Sequence, residues 1–372
     1  MDKNKIKILF CGGATGGHLY PAIAMCEKFD EILGLEQEQL LFIGSGYGLE
    51  SKVLPEHGYN FKKIWIRGIQ RGWGWKQLKV NALAPLRIVS SLIQSLLYIK
   101  NFDPDLAIGT GGYSAGPPLY IAHKLDIPIF LQEQNVYPGM TNRLLARHAQ
   151  KTYTSYDSTK KYLPNTDNKG IPLRTSLKEY KKDNALDYYN LEKNKTTIFM
   201  FGGSQGSQAL NDFLCKNIYK IMDHFKCQFI WQTGQKHFKH IAPKLKSTAN
   251  IYITPYIDEM DQAYSACDIV LCRAGALTLA ELCEYGKPSI LVPLPTAAEN
   301  HQVKNAVDME EHDAAIVILE ENLELNKFIA VMENLFDHPE KLTEMGRNAK
   351  SLANPNAAEQ IVQNIISIMG IE

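Results

Sequence analysis

The chain contains 372 residues, and at about 150 residues per domain this length predicts two sizeable domains. Hydrophobic residues make up 45% and charged residues 22% of the sequence, ordinary globular proportions that exclude a disordered or fibrous chain. Forty basic residues balance forty acidic residues, so no overall positive field attracts nucleic acid and no nucleic-acid partner is expected.

The start of the chain and the cysteine pattern predict a cytoplasmic protein. The first apolar run, Ile6 to Cys11, contains Lys7 and is too short for the apolar core of a signal peptide. No stretch approaches the roughly 18 uncharged apolar residues that a membrane-spanning helix needs. The seven cysteines form no Cys-x-x-Cys pair, which favours buried free thiols over a disulfide framework.

Residues 6–17 and residues 197–208, about half a chain apart, share one layout. Each segment is a short apolar run that ends in a glycine-rich turn and leads into a helical pattern. A strand, a turn and a helix form the opening unit of an open α/β domain. The repetition therefore predicts two such domains in tandem.

Further apolar runs complete the predicted sheets. Strands are predicted at 40–45, 105–110 and 127–132 in the first half, and at 229–234, 268–273 and 288–293 in the second. Because helical patterns separate most of these runs, we expect parallel sheets with right-handed crossovers. A segment from Tyr162 to Arg174, rich in Pro, Asn and Gly, predicts the connection between the domains. A final helix near Ala357–Met369 could pack on either domain.

The first glycine-rich turn, residues 12–18, reads Gly-Gly-Ala-Thr-Gly-Gly-His. Its glycines let the backbone approach a ligand closely, and the helix that follows offers free N–H groups to an anion. The spacing matches neither a dinucleotide-binding Gly-x-Gly-x-x-Gly motif nor a Walker loop, so neither kind of site is indicated. His18 is the only titratable side chain in the turn, and histidine is suited to deprotonating an acceptor hydroxyl near neutral pH.

A second glycine cluster, residues 109–118, and the tetrapeptide Gln-Glu-Gln-Asn at 132–135 also follow predicted strands. Ligands in open α/β sheets lie beyond the carboxyl ends of the strands, so we expect these segments and the first turn to converge on one crevice. Amides suit sugar hydroxyls, and Glu133 competes with His18 as the candidate base. The candidate acceptor and diphosphate contacts are Gly13, Gly111, Gly112, Tyr113 and Ser114.

The second half carries the sharpest local pattern. A strand that ends at Arg273 is followed by an Ala-Gly turn and by a helix from Ala276 whose first turn lacks an acidic residue. The N–H groups at that helix start are therefore predicted to bind a diphosphate, and Glu281 is placed to accept hydrogen bonds from ribose hydroxyls. The turn at 202–206 and the polar loop at 296–302 complete this side, and we expect the site in a cleft between the two domains.

No metal site is expected. Asp103 and Asp105 resemble an Asp-x-Asp metal motif, but they precede their predicted strand and so lie at the wrong edge of the sheet. His237 and His240 have no obvious third ligand, and no zinc pattern is present.

The segment from His57 to Phe102 predicts contact with a membrane surface. It contains eight Lys and Arg residues but no Asp or Glu, together with tryptophans and an apolar-rich stretch. This composition suits the headgroup region of an anionic bilayer, and the other interpretation is a buried helix with a basic loop near a phosphate ligand. The predicted membrane contacts are Trp73, Trp75, Lys76, Lys79 and Arg87.

Six short motifs follow one another along nearly the whole chain, in an order that matches a known family. They are GGATGGH at 12–18, GTGGYSAGPP at 109–118, QEQN at 132–135, GGSQGS at 202–207, CRAGALTLAEL at 272–282 and HQ with NA at 301–306. This set resembles the MurG family of bacterial cell-wall glycosyltransferases, the undecaprenyldiphospho-muramoylpentapeptide β-N-acetylglucosaminyltransferases. Two departures are that Ala14 stands where the family usually has glycine, and that residues 170–174 read GIPLR instead of GNPVR.

The resemblance implies a GT-B fold, in which two Rossmann-like domains have parallel sheets that face each other across a cleft. Residues 1–163, joined by the C-terminal helix 356–372, would form the acceptor- and membrane-facing domain, and residues 164–355 would bind UDP-N-acetylglucosamine. The family's donor contacts carry over onto Thr15, Gly16, Gly17, Asn135, Arg174, Ser204, Ile257, Ala276, Leu277, Thr278, Leu279, Ala280, Glu281 and Gln302.

The resemblance also implies the reaction. The family moves N-acetylglucosamine from its UDP donor to the 4-hydroxyl of the muramoyl sugar of lipid I, with inversion and without an essential metal or other cofactor. The product is lipid II for peptidoglycan synthesis. The expected location is peripheral, on the cytoplasmic side of the bacterial plasma (inner) membrane, and other cell-wall synthesis proteins are candidate partners.

The residues themselves support direct displacement. Helix N–H groups at 275–278 would stabilise the departing UDP, and His18, or Glu133 in competition, would remove the acceptor proton. The alternatives are another enzyme on this scaffold, such as a UDP-sugar epimerase or a diacylglycerol glycosyltransferase, and an inactive nucleotide-sugar-binding scaffold protein. The QEQN and 301–306 motifs count against the other enzymes, and intact motifs in both domains count against the inactive protein.

Overall fold

The computed structural model describes residues 5–69, 74, 80–173, 178–245 and 249–372. The chain divides into two compact units, Met1–Thr175 with Asn354–Glu372, and Ser176–Ala353. The first unit extends beyond the predicted boundary at residue 163, because a strand at Thr166–Asn168 pairs with the strand at Lys151–Thr154 and so continues the first sheet.

The first unit is built on a parallel sheet. Its strands are β1 Ile8–Gly12, β2 Leu40–Ser45, β3 Phe61–Ile64, β4 Leu106–Gly111, β5 Ile129–Glu133, β6 Lys151–Thr154 and β7 Thr166–Asn168. Its helices before the second unit are α1 Gly16–Leu33, α2 Glu50–Glu56, α3 Ala84–Phe102, α4 Gly116–Lys124 and α5 Met140–Leu145. Within the described residues the strand order is β3-β2-β1-β4-β5-β6-β7.

Strand β1 is apolar throughout because the sheet is covered on both faces. Ile8 and Phe10 point into a core cluster that includes residues of α1, whereas Leu9 and Cys11 point into a cluster that includes residues of α4. Every residue of β1 is buried as a result.

The second unit repeats this plan. Its strands are β8 Thr197–Phe201, β9 Gln228–Gln232, β10 Ile251–Thr254, β11 Ile269–Cys272, β12 Ser289–Leu291 and β13 Ala315–Val317. Its helices are α6 Lys182–Tyr188, α7 Gln208–Phe225, α8 Gln235–Ile241, α9 Met260–Ala266, α10 Ala276–Glu284, α11 His301–Glu311, α12 Leu325–Phe336 and α13 Pro339–Ser351. All pairings are parallel, in the order β10-β9-β8-β11-β12-β13 among the described residues.

The last helix, α14 Ala357–Met369, belongs to the first unit. Its buried residues Ile361, Val362 and Ile365 share a core cluster with Leu19 and Phe29 of α1. Because α14 buries an apolar stripe at helical spacing, its position in the first unit is fixed by side-chain packing.

Each sheet reverses its strand order once, between β1 and β4 in the first unit and between β8 and β11 in the second. A crevice forms beyond the carboxyl ends of the strands at such a reversal, since the chain leaves the two strands towards opposite faces of the sheet. The glycine-rich turns follow these four strands. The predicted fold class, two Rossmann-like units with parallel sheets, is confirmed.

The state of the cysteines and the composition of the helices can both be compared with the sequence predictions. All seven cysteines are free, as the sequence predicts, and burial raises the pKa of Cys267 to about 11. None of the helices in the described part of the chain combines the length and the apolar composition needed to cross a bilayer.

Candidate functional site

The structure brings the first two glycine-rich turns together at the carboxyl edge of the first sheet. The Thr110 hydroxyl at the end of β4 donates to the His18 carbonyl in the first turn of α1, at 2.6 Å. Gly112 has a φ of +84°, and a Cβ atom there would lie 2.7 Å from the Gly13 carbonyl oxygen. Glycine is therefore needed at position 112 for this close approach. The sequence predicts only that the two turns share one crevice and does not predict this contact.

The contacts of His18 decide which ring nitrogen carries its proton. Nδ1 lies 2.9 Å from the Thr110 carbonyl oxygen and 3.2 Å from Gln134 Oε1. Both partners are acceptors, so Nδ1 carries the hydrogen in the neutral ring and Nε2 keeps a lone pair. This is the tautomer that a general base requires.

Glu133, the competing candidate base, has a carboxylate that already accepts hydrogen bonds from its own unit. It is 1% exposed. Its Oε1 accepts from the N–H and the side-chain amide of Asn135, both at 3.0 Å. Its Oε2 accepts from the Gly139 N–H at 3.0 Å and from Asn142 Nδ2 at 2.8 Å. Four donors occupy the buried carboxylate, so it anchors the loop that carries Asn135, and this geometry argues against Glu133 as the base.

The two glutamines of the QEQN segment are also buried, so their amides bind protein groups instead of a sugar. Gln134 Nε2 donates to the Thr110 carbonyl at 2.8 Å and to Gln132 Oε1 at 2.5 Å. Of the four residues, only Asn135 is partly exposed. Sequence reasoning missed the contact between Gln134 and His18, because it joins residues 116 positions apart.

The remaining candidate residues of the first unit lie around the same turns. Thr15 is exposed and is the N-cap residue of α1, while Gly16 and Gly17 form the start of that helix. Tyr113 is partly buried and packs against the core cluster that includes residues of α4. The buried Ser114 hydroxyl has no hydrogen-bond partner among the described residues, an unusual state for a buried polar group.

A cavity of about 350 Å³ lies at the carboxyl ends of β8 and β11 in the second unit. The turn after β8 lines it with Gly203 and Gly206, the turn after β11 lines it with Gly275, and the first turn of α10 lines it with Thr278. The structure therefore brings the helix start that is predicted to bind a diphosphate together with the turn at 202–206 that is predicted to complete this side. Ser204 is exposed at the tip of the first of these turns.

The start of α10 presents free backbone N–H groups at this cavity. Gly275 is its N-cap residue, no side chain caps the helix, and no acidic residue lies in its first turn. Free N–H groups at such a helix start carry partial positive charge. Ala276 and Leu279 are buried, and Leu277, Thr278 and Ala280 are partly exposed.

Glu281 lies further along α10 and is partly buried. The Tyr264 hydroxyl donates to its Oε2 at 2.8 Å. Burial raises the pKa of Glu281 from its ordinary value of 4.5 to about 7, against the effect of the Tyr264 hydrogen bond. A hydroxyl group that donates to this carboxylate would favour the ionised form and lower its pKa.

Ile257, one of the donor contacts that the resemblance implies, has its N–H already engaged. That N–H donates to Gln232 Oε1 at 2.9 Å, and Gln232 Nε2 donates to the Gly203 carbonyl at 3.1 Å. Gln232 thus ties the turn after β8 to the segment at Ile257, a role that sequence reasoning missed. Gln302 lines the cavity, and its Oε1 accepts from the Leu294 N–H at 3.0 Å.

Arg273 is a second residue that the sequence analysis did not single out as functional. It is 7% exposed and lines the same cavity. Its NH1 group donates to the carbonyls of Val292 at 3.0 Å and Pro293 at 3.2 Å, and its NH2 group pairs with Glu320. A buried cation that is held at three points fixes the turn after β11 against the loop after β12.

The membrane contacts predicted from composition are partly corrected. Arg87 is 8% exposed, donates to the Val80 carbonyl at 3.0 Å and lies over the Trp65 ring. This burial runs against the membrane contact predicted for Arg87, because a buried guanidinium cannot reach a lipid headgroup. The four other predicted membrane contacts, Trp73, Trp75, Lys76 and Lys79, lie outside the described residues. The predicted donor contact Arg174 also lies outside them.

Helix α3 has the reverse of the usual amphipathic arrangement. Its buried residues are Arg87, Ser91, Ser95 and Ile99. Its exposed large apolar residues are Leu86 at 57%, Ile88 at 48%, Val89 at 55%, Ile93 at 54% and Leu97 at 62%. A contiguous apolar surface of this kind marks a binding or membrane surface.

Among the described residues no group of three or more His, Cys, Asp or Glu side chains could hold a metal ion. In the Asp-x-Asp segment, Asp105 Oδ2 accepts from the Lys7 N–H at 2.8 Å. This contact gives Asp105 a structural role beside the start of β1.

Comparisons with known proteins agree with this geometry. The family models for the glycosyltransferase family 28 N-terminal domain and C-terminal domain match residues 8–154 and residues 197–361. A UDP-N-acetylglucosamine--N-acetylmuramyl-(pentapeptide) pyrophosphoryl-undecaprenol N-acetylglucosamine transferase from Christiangramia forsetii is 36% identical, and one from Flavobacterium psychrophilum is 37% identical, each over 98% of both chains. The crystal structure of Acinetobacter baumannii MurG superimposes with a TM-score of 0.75 at 26% identity, covering 97% of this chain and 99% of that one. The chain therefore belongs to glycosyltransferase family 28, and within it to the family of these N-acetylglucosamine transferases with the GT-B fold.

Proposed function

We propose that this protein transfers N-acetylglucosamine from UDP-N-acetylglucosamine to the 4-hydroxyl of the muramoyl sugar of lipid I, giving lipid II for peptidoglycan synthesis. The observation that carries the proposal is the cavity of the second unit, which is lined by two glycine turns and the uncapped start of α10. Glu281 lies further along the same helix. Phosphate suits the free N–H groups, and the ribose hydroxyls suit the carboxylate.

The first unit supplies the acceptor side of the reaction. The acceptor oxygen attacks the anomeric carbon from the face opposite to the diphosphate, so the new glycosidic bond forms with inversion as the bond to UDP breaks. Nε2 of His18, left unprotonated by the contacts of Nδ1, takes the proton of the acceptor hydroxyl. The negative charge that builds on UDP is stabilised by the N–H groups at the start of α10.

We propose that no metal or other cofactor is required for this reaction. A fixed set of backbone N–H groups provides the positive potential that a metal ion supplies in other nucleotide-sugar enzymes. Adding a chelator to the assay tests this point: activity that disappears with EDTA and returns with magnesium would contradict it.

We propose that the protein binds the cytoplasmic face of the membrane peripherally through the exposed apolar residues of α3. The segment from His57 to Phe102 adds eight basic residues and no acidic residue, which favours anionic lipids. This surface would bring the first unit to its lipid-linked acceptor, where other cell-wall synthesis proteins are candidate partners.

The test of the function is a product assay with radiolabelled UDP-N-acetylglucosamine and lipid I in detergent. We expect one labelled product that depends on both substrates. Conversion of the donor without lipid I would indicate an epimerase, transfer to diacylglycerol would indicate a different glycosyltransferase, and binding without turnover would indicate an inactive scaffold protein.

A further inference from the structure

A buried carboxylate lies directly beneath the first glycine-rich turn. Glu50 begins α2 and is completely buried. Its Oε2 accepts from the Ala14 N–H at 2.7 Å, and its Oε1 accepts from the Ser45 N–H at 2.9 Å. Glu50 therefore joins the turn after β1 to the end of β2, although neither the mechanism above nor the motifs include it.

Three glycines form the space that Glu50 occupies. A Cβ atom would lie 2.4 Å from Glu50 Cδ if placed on Gly13, 2.9 Å from Cγ if placed on Gly44, and 2.0 Å from Oε2 if placed on Gly48. No larger residue fits at these positions unless the carboxylate moves. Burial raises the pKa of Glu50, while the N–H groups of Glu50 itself, Ala14 and Ser45 and the nearby His18 act in the opposite direction.

Ala14 is the residue that most needs this contact. Its φ is +72°, a left-handed conformation that disfavours residues other than glycine by roughly 5- to 30-fold. Thr15 follows it as the N-cap of α1, and the His18 N–H donates to the Thr15 carbonyl at 3.2 Å. The conformation of Ala14 thus sets where α1 begins, and with it the position of His18 in the first turn of that helix.

We propose that Glu50 is a positioning residue for sugar transfer, whose carboxylate holds Ala14 in the left-handed conformation and so places Thr15 to His18 for the acceptor. This inference rests on the proposed function. It assigns to Glu50 an effect on turnover that acts through the first turn and does not involve contact with either substrate.

The first test is Glu50→Gln, which keeps the shape of the side chain. An amide has one acceptor oxygen, so its NH2 group faces either the Ala14 or the Ser45 N–H and leaves that donor unpaired. We expect turnover to fall by about tenfold or more. The KM for UDP-N-acetylglucosamine should stay within about threefold, because the diphosphate and ribose contacts belong to the second unit.

Two further variants separate positioning from general loss of stability. Val53→Ala removes a buried side chain from the same helix and serves as the control, with a lowered melting temperature but the turnover of the wild type. Ala14→Gly added to Glu50→Gln should restore turnover by about fivefold, because glycine adopts a positive φ without the steric cost. Equal losses in Glu50→Gln and Val53→Ala, or no restoration by Ala14→Gly, would overturn the proposal.

Hydrogen exchange tests the contact in the wild-type protein, independently of any variant or of activity. The Ala14 amide should exchange at least about 100-fold more slowly than the exposed Thr15 amide, because only the former donates to a buried acceptor. Similar exchange rates for the two amides would contradict the inference. If the wild type makes no lipid II, the proposed function fails, whereas an active wild type with an unaffected Glu50→Gln variant refutes only the role of Glu50.

Discussion

Nδ1 of His18 lies 2.9 Å from the carbonyl oxygen of Thr110, a contact that joins the first turn of α1 to the end of β4. It fixes the ring by a backbone group, so neither the orientation nor the tautomer of His18 depends on a bound substrate. The base proposed for the reaction is therefore already arranged in the protein alone, which reduces the reorganisation needed during catalysis.

The first prediction concerns His18 itself. His18→Ala should lower turnover by about 100-fold or more, because a general base contributes about 10²–10⁴-fold, while the KM for UDP-N-acetylglucosamine changes little. His57→Ala, which alters an exposed histidine of the same unit, is the control and should match the wild type. Steady-state kinetics at saturating lipid acceptor make the comparison, and unchanged turnover would remove His18 from the role of base.

The second prediction separates Glu133 from His18. Glu133→Gln removes one acceptor oxygen from a carboxylate with four donors, so the free energy of unfolding should fall by about 1–3 kcal/mol. The acidic limb of the pH–turnover profile should stay where it is in the wild type, because we expect a carboxylate that accepts four hydrogen bonds not to act as the base. Thermal unfolding and the pH profile measure the two effects, and a profile that loses its acidic limb would restore Glu133 as the candidate.

The third prediction follows from the raised pKa of Glu281, about 7 in the folded protein against an ordinary 4.5. Between these values the folded state binds more protons than the unfolded state, so the contribution of Glu281 to stability falls as the pH rises. Glu281→Gln carries no buried carboxyl group, so it avoids the free-energy cost of ionising one. The melting temperature of the variant minus that of the wild type should therefore increase from pH 5 to pH 7.5. A difference that does not change with pH would contradict the raised pKa.

The fourth prediction concerns donor binding at the same residue. Ribose hydroxyls that donate to Glu281 favour the ionised carboxylate, so the wild type should bind UDP-N-acetylglucosamine more tightly as the pH rises through 7. Glu281→Ala should raise the donor KM and abolish this pH dependence of binding. Steady-state kinetics measure the KM, and calorimetric titration at several pH values measures the binding. The same pH dependence in the variant would assign it to another group.

The fifth prediction tests the apolar surface of α3. Leu86→Ser combined with Ile93→Ser and Leu97→Ser should weaken binding to phosphatidylcholine–phosphatidylglycerol vesicles by about tenfold or more, since each removes an aliphatic group from the bilayer contact. Because these side chains are exposed, folding should be unaffected. Ile32→Ser with Ile368→Ser, two exposed residues on α1 and α14, is the control. Equal sedimentation of all three proteins with vesicles would exclude α3 as the membrane surface.

The sequence predicts well those features that depend on local pattern. The strand at 268–273 is found at Ile269–Cys272, and the final helix is found at Ala357–Met369, because apolar runs and glycine turns act within a few residues. The approach of the first two glycine-rich turns is also predictable, because parallel strands place their carboxyl ends at one edge.

The sequence does not predict contacts that depend on long-range packing. Glu133 is a reasonable base from its place at the end of a strand, but its four donors come from the following loop and from α5, and the sequence does not give their arrangement. Arg87 lies in a basic segment but is buried because α3 turns its polar residues inwards. A local pattern could have drawn attention to Glu50, since residues 44–50 read Gly-Ser-Gly-Tyr-Gly-Leu-Glu after a predicted strand.

The close fit of Gly13, Gly44 and Gly48 around Glu50 has a consequence for how this region can diverge. A saturation library would find almost no tolerated single change among these four positions, since a methyl group on any of the three glycines collides with the acid. Pairs that combine a glycine-to-alanine change with Glu50→Asp should survive more often than the product of the single effects. Substitutions at these four positions should therefore be correlated during evolution. A homologue that lacks the acid should tolerate larger residues at all three glycine positions.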